Sequence, residues 1–76
     1  MSDNDQIIYQ YMLRYQQEHA GPIPPTLREI AAAVGMPLQS VHNIVRRLVK
    51  AGLVIVRPYA QRKYLAVAHD RSQADQ

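Results

Sequence analysis

Two apolar series at helical spacing lie on either side of one glycine, and this arrangement constrains the fold more than any other feature of the chain. The first series is Leu27, Ile30, Ala31 and Val34; the second is Leu38, Val41, Ile44, Val45 and Leu48. Gly35 stands between them, where a helix end needs a residue that tolerates the left-handed conformation. Thr26 and Glu29 have capping-box spacing, so the Thr hydroxyl and the Glu carboxylate can each satisfy a backbone N–H of the other at the start of the first series. Gly52 closes the second. Two short helices this close share a core only by crossing steeply, which needs a small residue at the crossing. Ala31 precedes Gly35 by about one helical turn, and apolar Val41 follows it inside the second helix; this is the layout of a helix-turn-helix. The plainer alternative is a helical hairpin in a bundle.

The flanking segments extend this unit. A helix is expected from about Asp5 to His19, capped by Asp3 or Asn4, with Ile8, Tyr11, Met12 and Tyr15 on one face and Ile7, Tyr9 and Leu13 widening the stripe. The tyrosines suit a core edge, where the hydroxyl still reaches water, and the second apolar side could serve self-association. Gly21-Pro22-Ile23-Pro24-Pro25 ends that helix, since proline excludes both helix interior and central strand. A short extended piece around Ile23 could lie on a sheet edge. After Gly52 the pattern changes period. Leu53-Val54-Ile55-Val56-Arg57 reads as a strand, Pro58-Tyr59-Ala60-Gln61 as a turn, and Arg62-Lys63-Tyr64-Leu65-Ala66-Val67 as the returning strand. A hairpin after a helix-turn-helix is a wing. The expected fold is mainly α with a small β-hairpin: a winged helix-turn-helix of three helices plus a two- to three-stranded wing. It occupies residues 1–68, and residues 69–76 form a polar tail expected to be disordered.

Seventy-six residues allow one domain with a small core. The absence of cysteine removes disulfides and thiolate zinc sites and fits a reducing compartment. The polar start MSDNDQ is not a secretory signal, and no apolar run approaches the roughly 20 residues that span a bilayer. No membrane association and a cytoplasmic location are therefore expected.

Charge is unevenly distributed. The net charge is +3, but no acidic residue occurs between Glu29 and Asp70, a window that holds Arg46, Arg47, Lys50, Arg57, Arg62 and Lys63. A chain with one purely basic half, containing the second helix of the motif, points to a polyanionic partner. On a helical wheel centred on Val41, the face opposite the core carries Gln39, Asn43, Arg46 and Lys50, flanked by Ser40, His42 and Arg47. Asn and Gln can bond adenine bidentately and Arg can do so to guanine, so this face suits a major groove. Lys50 at its far end suits a phosphate, and Arg57, Arg62 and Lys63 sit where a wing meets the sugar-phosphate backbone. The helix starts at Pro37, which is acceptable in a first turn but supplies no hydroxyl cap.

These residues carry a family resemblance. Gly21-Pro22-Ile23-Pro24-Pro25-Thr26-Leu27-Arg28-Glu29-Ile30-Ala31 resembles the G-x-P-P-S/T-x-R-E-I-A approach to the second helix in the LexA-type repressor DNA-binding domain. The later Gly35, Val41, Leu48 and Gly52-Leu53-Val54 are similar to that family and to MarR-type winged helices. The resemblance covers about residues 7 to 68. It implies a three-helix winged domain, DNA operators and repression, with base recognition on Gln39, Ser40, His42, Asn43 and Arg46. LexA-type repressors also carry a serine-lysine peptidase domain that supplies dimerisation and self-cleavage. No such domain is present in these residues, so neither property carries over. The turn Met36-Pro37-Leu38 is one residue shorter than the LexA-type turn, so the bases read need not be those of an SOS operator.

No catalytic constellation emerges. His19, His42 and His69 lie in three different elements without ligand spacing, and no glycine-rich phosphate loop is present. Neither enzyme activity, a metal nor a cofactor is expected. The reading is a sequence-specific regulator of double-stranded DNA, a repressor, acting as a homodimer that forms on two half-sites. Base readers are Gln39, Ser40, His42, Asn43 and Arg46; backbone contacts are Arg47, Lys50, Arg57, Arg62 and Lys63. The alternative is a winged helix that binds protein rather than DNA, with the first helix and its tyrosines as the working surface.

Overall fold

In the computed structural model, which describes residues 2–19, 23–58 and 60–67, three helices are followed by one antiparallel hairpin. The helices are α1 (Asp3–Glu18), α2 (Leu27–Val34) and α3 (Leu38–Lys50); the strands are β1 (Val54–Val56) and β2 (Tyr64–Ala66). Val54 pairs with Ala66, Ile55 with Leu65 and Val56 with Tyr64. This is the expected mainly helical winged architecture, with both strands shorter than the apolar runs in the sequence.

The helix-turn-helix forms as its local signals dictate. Thr26 and Glu29 close a full capping box: the Thr hydroxyl accepts from the Glu29 N–H at 3.1 Å, and the Glu carboxylate accepts from the Thr26 N–H at 2.8 Å. Gly35 adopts φ 70°, and its N–H and that of Met36 both reach the Ala31 carbonyl. Pro37 caps α3 without a side-chain bond.

Ile8, Tyr9 and Met12 of α1, Ile30 of α2, and Val41, Ile44, Val45 and Leu48 of α3 form the core with Val54 and Ala66 of the hairpin. Several expectations are corrected here. Ser2 rather than Asp3 or Asn4 caps α1, its hydroxyl accepting from the Asp5 N–H, so the helix starts and ends slightly earlier than its apolar face implied. The buried face of α1 is rotated towards Tyr9, leaving Tyr11 and Tyr15 half-buried. Tyr9 packs in the core, and its buried hydroxyl is satisfied by donating to the Val67 carbonyl. Leu38 is 41% exposed rather than part of the core; as the first residue of α3 it lines a shallow hollow with Thr26, Leu27 and Arg28 at the start of α2.

The sheet has two strands among the described residues, and Ile23 is exposed and unpaired in any strand. A side chain satisfies the edge position nearest α1. Gln16 donates to the Ala66 carbonyl at 2.9 Å and accepts from its N–H at 2.8 Å, matching the peptide edge as a strand would. Residues 69–76, expected to be disordered, lie outside the described residues.

Candidate nucleic-acid interface

The apolar stripe of α3 sets what its other face can do. With Val41, Ile44, Val45 and Leu48 turned inward, the 3.6-residue period turns Gln39, Asn43, Arg46 and Lys50 outward, and all four are exposed. No acidic residue lies on α3, and neither Arg46 nor Lys50 has a carboxylate partner among the described residues. Gln39 and Asn43, one turn apart, are joined by an amide-amide bond of 3.2 Å. That bond uses one N–H and one carbonyl oxygen, so the pair still offers a free oxygen and a free NH2 group to solvent.

The two flanks of this face differ. On one, His42 is half-buried and sits where the first turn of α2, α3 and the hairpin meet, alongside Leu27, Lys63 and Tyr64. A groove between α3 and the hairpin is lined by His42, Arg46, Val49, Lys50, Val56 and Tyr64. On the other flank Ser40 is half-buried, and Arg47 reaches back to α1. Its Nη2 donates to Asp5 Oδ1 at 2.7 Å and its Nε to Oδ2 at 3.3 Å. Asp5 is only 6% exposed. The guanidinium holds its carboxyl below the ordinary carboxylate range against the opposing pull of burial, with further help from the Ser2 hydroxyl.

The hairpin's cations are similarly divided. Lys63 is exposed. Arg62 turns inward: its Nη1 donates to the Glu29 carboxylate, to the Pro24 carbonyl at 3.2 Å and towards the Tyr15 hydroxyl at 3.5 Å. Glu29 is thereby shared between the α2 cap and the hairpin. The Thr26 N–H lowers its pKa most, against burial; Arg62, the Thr26 hydroxyl and Tyr15 add to the shift, which brings the value to about 2. Arg57 is half-buried, and its Nε is enclosed with no hydrogen-bond partner among the described residues. Of the ten site residues expected from sequence, α3 thus brings Gln39, Asn43, Arg46 and Lys50 onto one open face with Ser40 and His42 at its sides. Arg47 and Arg62 are already engaged by carboxylates.

Sequence reasoning missed those carboxylates. Asp5 and Glu29 lie outside the acid-free window but fold back onto it. The separations are 42 and 33 residues, and no local pattern signals them. The capping-box role of Glu29 was legible; its second role was not.

A helix-turn-helix whose second helix presents an open, acid-free face, followed by a two-stranded wing packed against that helix, defines a winged-helix domain. The model of the MarR family matches residues 11–63, and the chain belongs to that family of winged-helix transcription regulators. No curated protein and no solved structure matches it. Among the described residues no group of His, Asp and Glu could hold a metal ion, and no helix is long and apolar enough to cross a membrane.

Proposed function

We propose that this protein is a sequence-specific double-stranded DNA-binding transcriptional repressor whose α3 enters the major groove. The observation that carries the reading is the exposed, acid-free face of Gln39, Asn43, Arg46 and Lys50 on the second helix of the motif, in a family of transcription regulators. Arg46 suits guanine O6 and N7, and the free oxygen and NH2 group of the Gln39–Asn43 pair suit adenine N6 and N7. Ser40 and His42 border the base-reading face. Lys50 and Lys63, with Arg57 beside them, are assigned to phosphates. Arg47 and Arg62 would reach phosphates only by leaving Asp5 and Glu29, so their main role in this reading is to hold α1 and the wing on the helix-turn-helix. The LexA-like approach through Pro24-Pro25-Thr26 and the repressor role belong to the same proposal, as does a cytoplasmic location on the nucleoid.

A homodimer assembled on two half-sites completes the reading, because one recognition helix covers only a few base pairs. Ile7, 49% exposed on the outer side of α1, lies in a groove with Gln6, Gln10, Tyr11 and Val34 that supports α1 as the contact.

Selection of bound duplexes from a random pool tests the proposal. The expected outcome is a repeated half-site motif whose affinity falls with salt. With three phosphate contacts per protomer, log K should fall with log salt at a slope of roughly −3 per protomer. Replacing Lys50 and Lys63 by alanine should flatten that slope by about two units while keeping the sequence preference. Enrichment of no motif would overturn the reading in favour of a protein-binding winged helix.

A further inference from the structure

One exposed apolar side chain adjoins the polar outward face of α3 at its leading end. Leu38 is 41% exposed, on the first residue of α3, in a shallow hollow lined also by Thr26, Leu27, Arg28, Gln39 and His42. The hollow is bordered by the first turns of both helices of the motif. It has no carboxylate in its lining and is continuous, through Gln39 and His42, with the base-reading face. A nucleic acid lying on that face would meet Leu38 with an apolar group set beside polar acceptors and donors. In a major groove only one base does so: thymine carries its C5-methyl next to the O4 acceptor.

We propose that Leu38 recognises the 5-methyl group of a thymine, making it a specificity-determining residue beyond the polar readers. This deepens the DNA-binding reading and rests on it. Gln39 follows Leu38 directly, and its bond to Asn43 leaves an oxygen and an NH2 group suited to adenine. The two chemistries together match an A·T pair or two adjacent ones: adenine meets the Gln39–Asn43 amides, and a thymine methyl meets Leu38. Pro37, the residue before Leu38, makes no side-chain cap bond at the start of α3.

The experiment uses the full chain and its selected duplex. Each thymine is replaced in turn by deoxyuridine, which removes the methyl and keeps the pairing, and affinity is measured for the parent and for Leu38→Ala. For the parent, one thymine per half-site should lose about fourfold on conversion to uracil, the value of one buried methyl-sized group. Leu38→Ala should bind the thymine and uracil forms of that position equally, while keeping its discrimination at the bases read by Asn43 and Arg46. Because Leu38 is exposed, the variant's thermal midpoint should match the parent's. A selected site in which no thymine is sensitive to methyl loss, or an unchanged thymine preference in Leu38→Ala, overturns the inference while leaving the DNA-binding reading intact. A chain that selects no duplex overturns both.

Discussion

Arg46 and Arg47 are neighbours in sequence and belong to different parts of the molecule. Arg46 stands on the outward face of α3 with no carboxylate partner among the described residues; Arg47, about 100° further round the helix, is held by buried Asp5 of α1. The wing repeats the contrast, with Lys63 exposed and Arg62 tied to Glu29, Pro24 and Tyr15. Two of the six cations of this basic region, Arg47 and Arg62, are thus scaffold. Arg47 fastens α1 and Arg62 fastens the hairpin to the helix-turn-helix, and Arg46, Lys50 and Lys63 are left exposed. Charge counted along the chain overstates the surface available to a polyanion.

The largest effect that would sharpen the contrast is on the open face. Asn43→Ala should cost about 1–3 kcal/mol of binding on the preferred duplex and much less on random duplex, measured by titration of both. Equal losses on the two would move Asn43 from base reader to general contact.

On the scaffold side, Thr26→Ala should lower folding stability by about 1 kcal/mol through loss of the hydroxyl cap. Denaturant unfolding measures this, and an unchanged midpoint would mean the capping box adds nothing. The same region predicts the response to acid. Glu29 has a folded value of about 2, below the value of an unstructured glutamate, and Asp5 is also lowered. A carboxylate with a depressed folded pKa contributes stability that is present above its unfolded pKa and lost as pH falls towards the folded one. Stability should therefore decline from about pH 4.5 towards pH 2, and Glu29→Gln should flatten that decline. The opposite sign, stability gained on acidification, would contradict the assigned partners.

The smallest expected effect is that of separating the wing from Glu29 without removing positive charge. Arg62→Lys keeps the charge but loses the guanidinium Nη1 that reaches both Glu29 and Pro24. The thermal midpoint should fall slightly and the salt slope of DNA binding should stay the same. A changed slope would make Arg62 a phosphate contact after all.

What was legible in the sequence was local. Thr26 and Glu29 are three residues apart and Gly35 ends the helix they begin, so capping chemistry alone placed α2 and the turn. The period of Val41, Ile44, Val45 and Leu48 placed the outward face of α3 by geometry. The hairpin was legible as a change of period, but its strand limits were not. Nor were the bonds that Gln16 and Tyr9 of α1 make to Ala66 and Val67 at the end of the returning strand. Leu38 fits the apolar series on paper, and its exposure beside the first turn of α2 is a tertiary fact that the period does not carry. The ion pairs Asp5–Arg47 and Glu29–Arg62 are products of tertiary packing, so two of the expected phosphate contacts could not be recognised as scaffold beforehand.

The central claim, that the outward face of α3 reads bases while its α1-facing flank holds the fold, is tested most directly by Arg46→Ala and Arg47→Ala compared side by side. Affinity for the selected duplex and for random duplex, together with the thermal midpoint, would be measured for both variants. Arg46→Ala should lose about 1–3 kcal/mol on the selected duplex, far less on random duplex, and keep its midpoint. Arg47→Ala should lower the midpoint by stranding Asp5 and leave the ratio of specific to random affinity unchanged. Loss of that ratio in Arg47→Ala with its retention in Arg46→Ala would contradict the account.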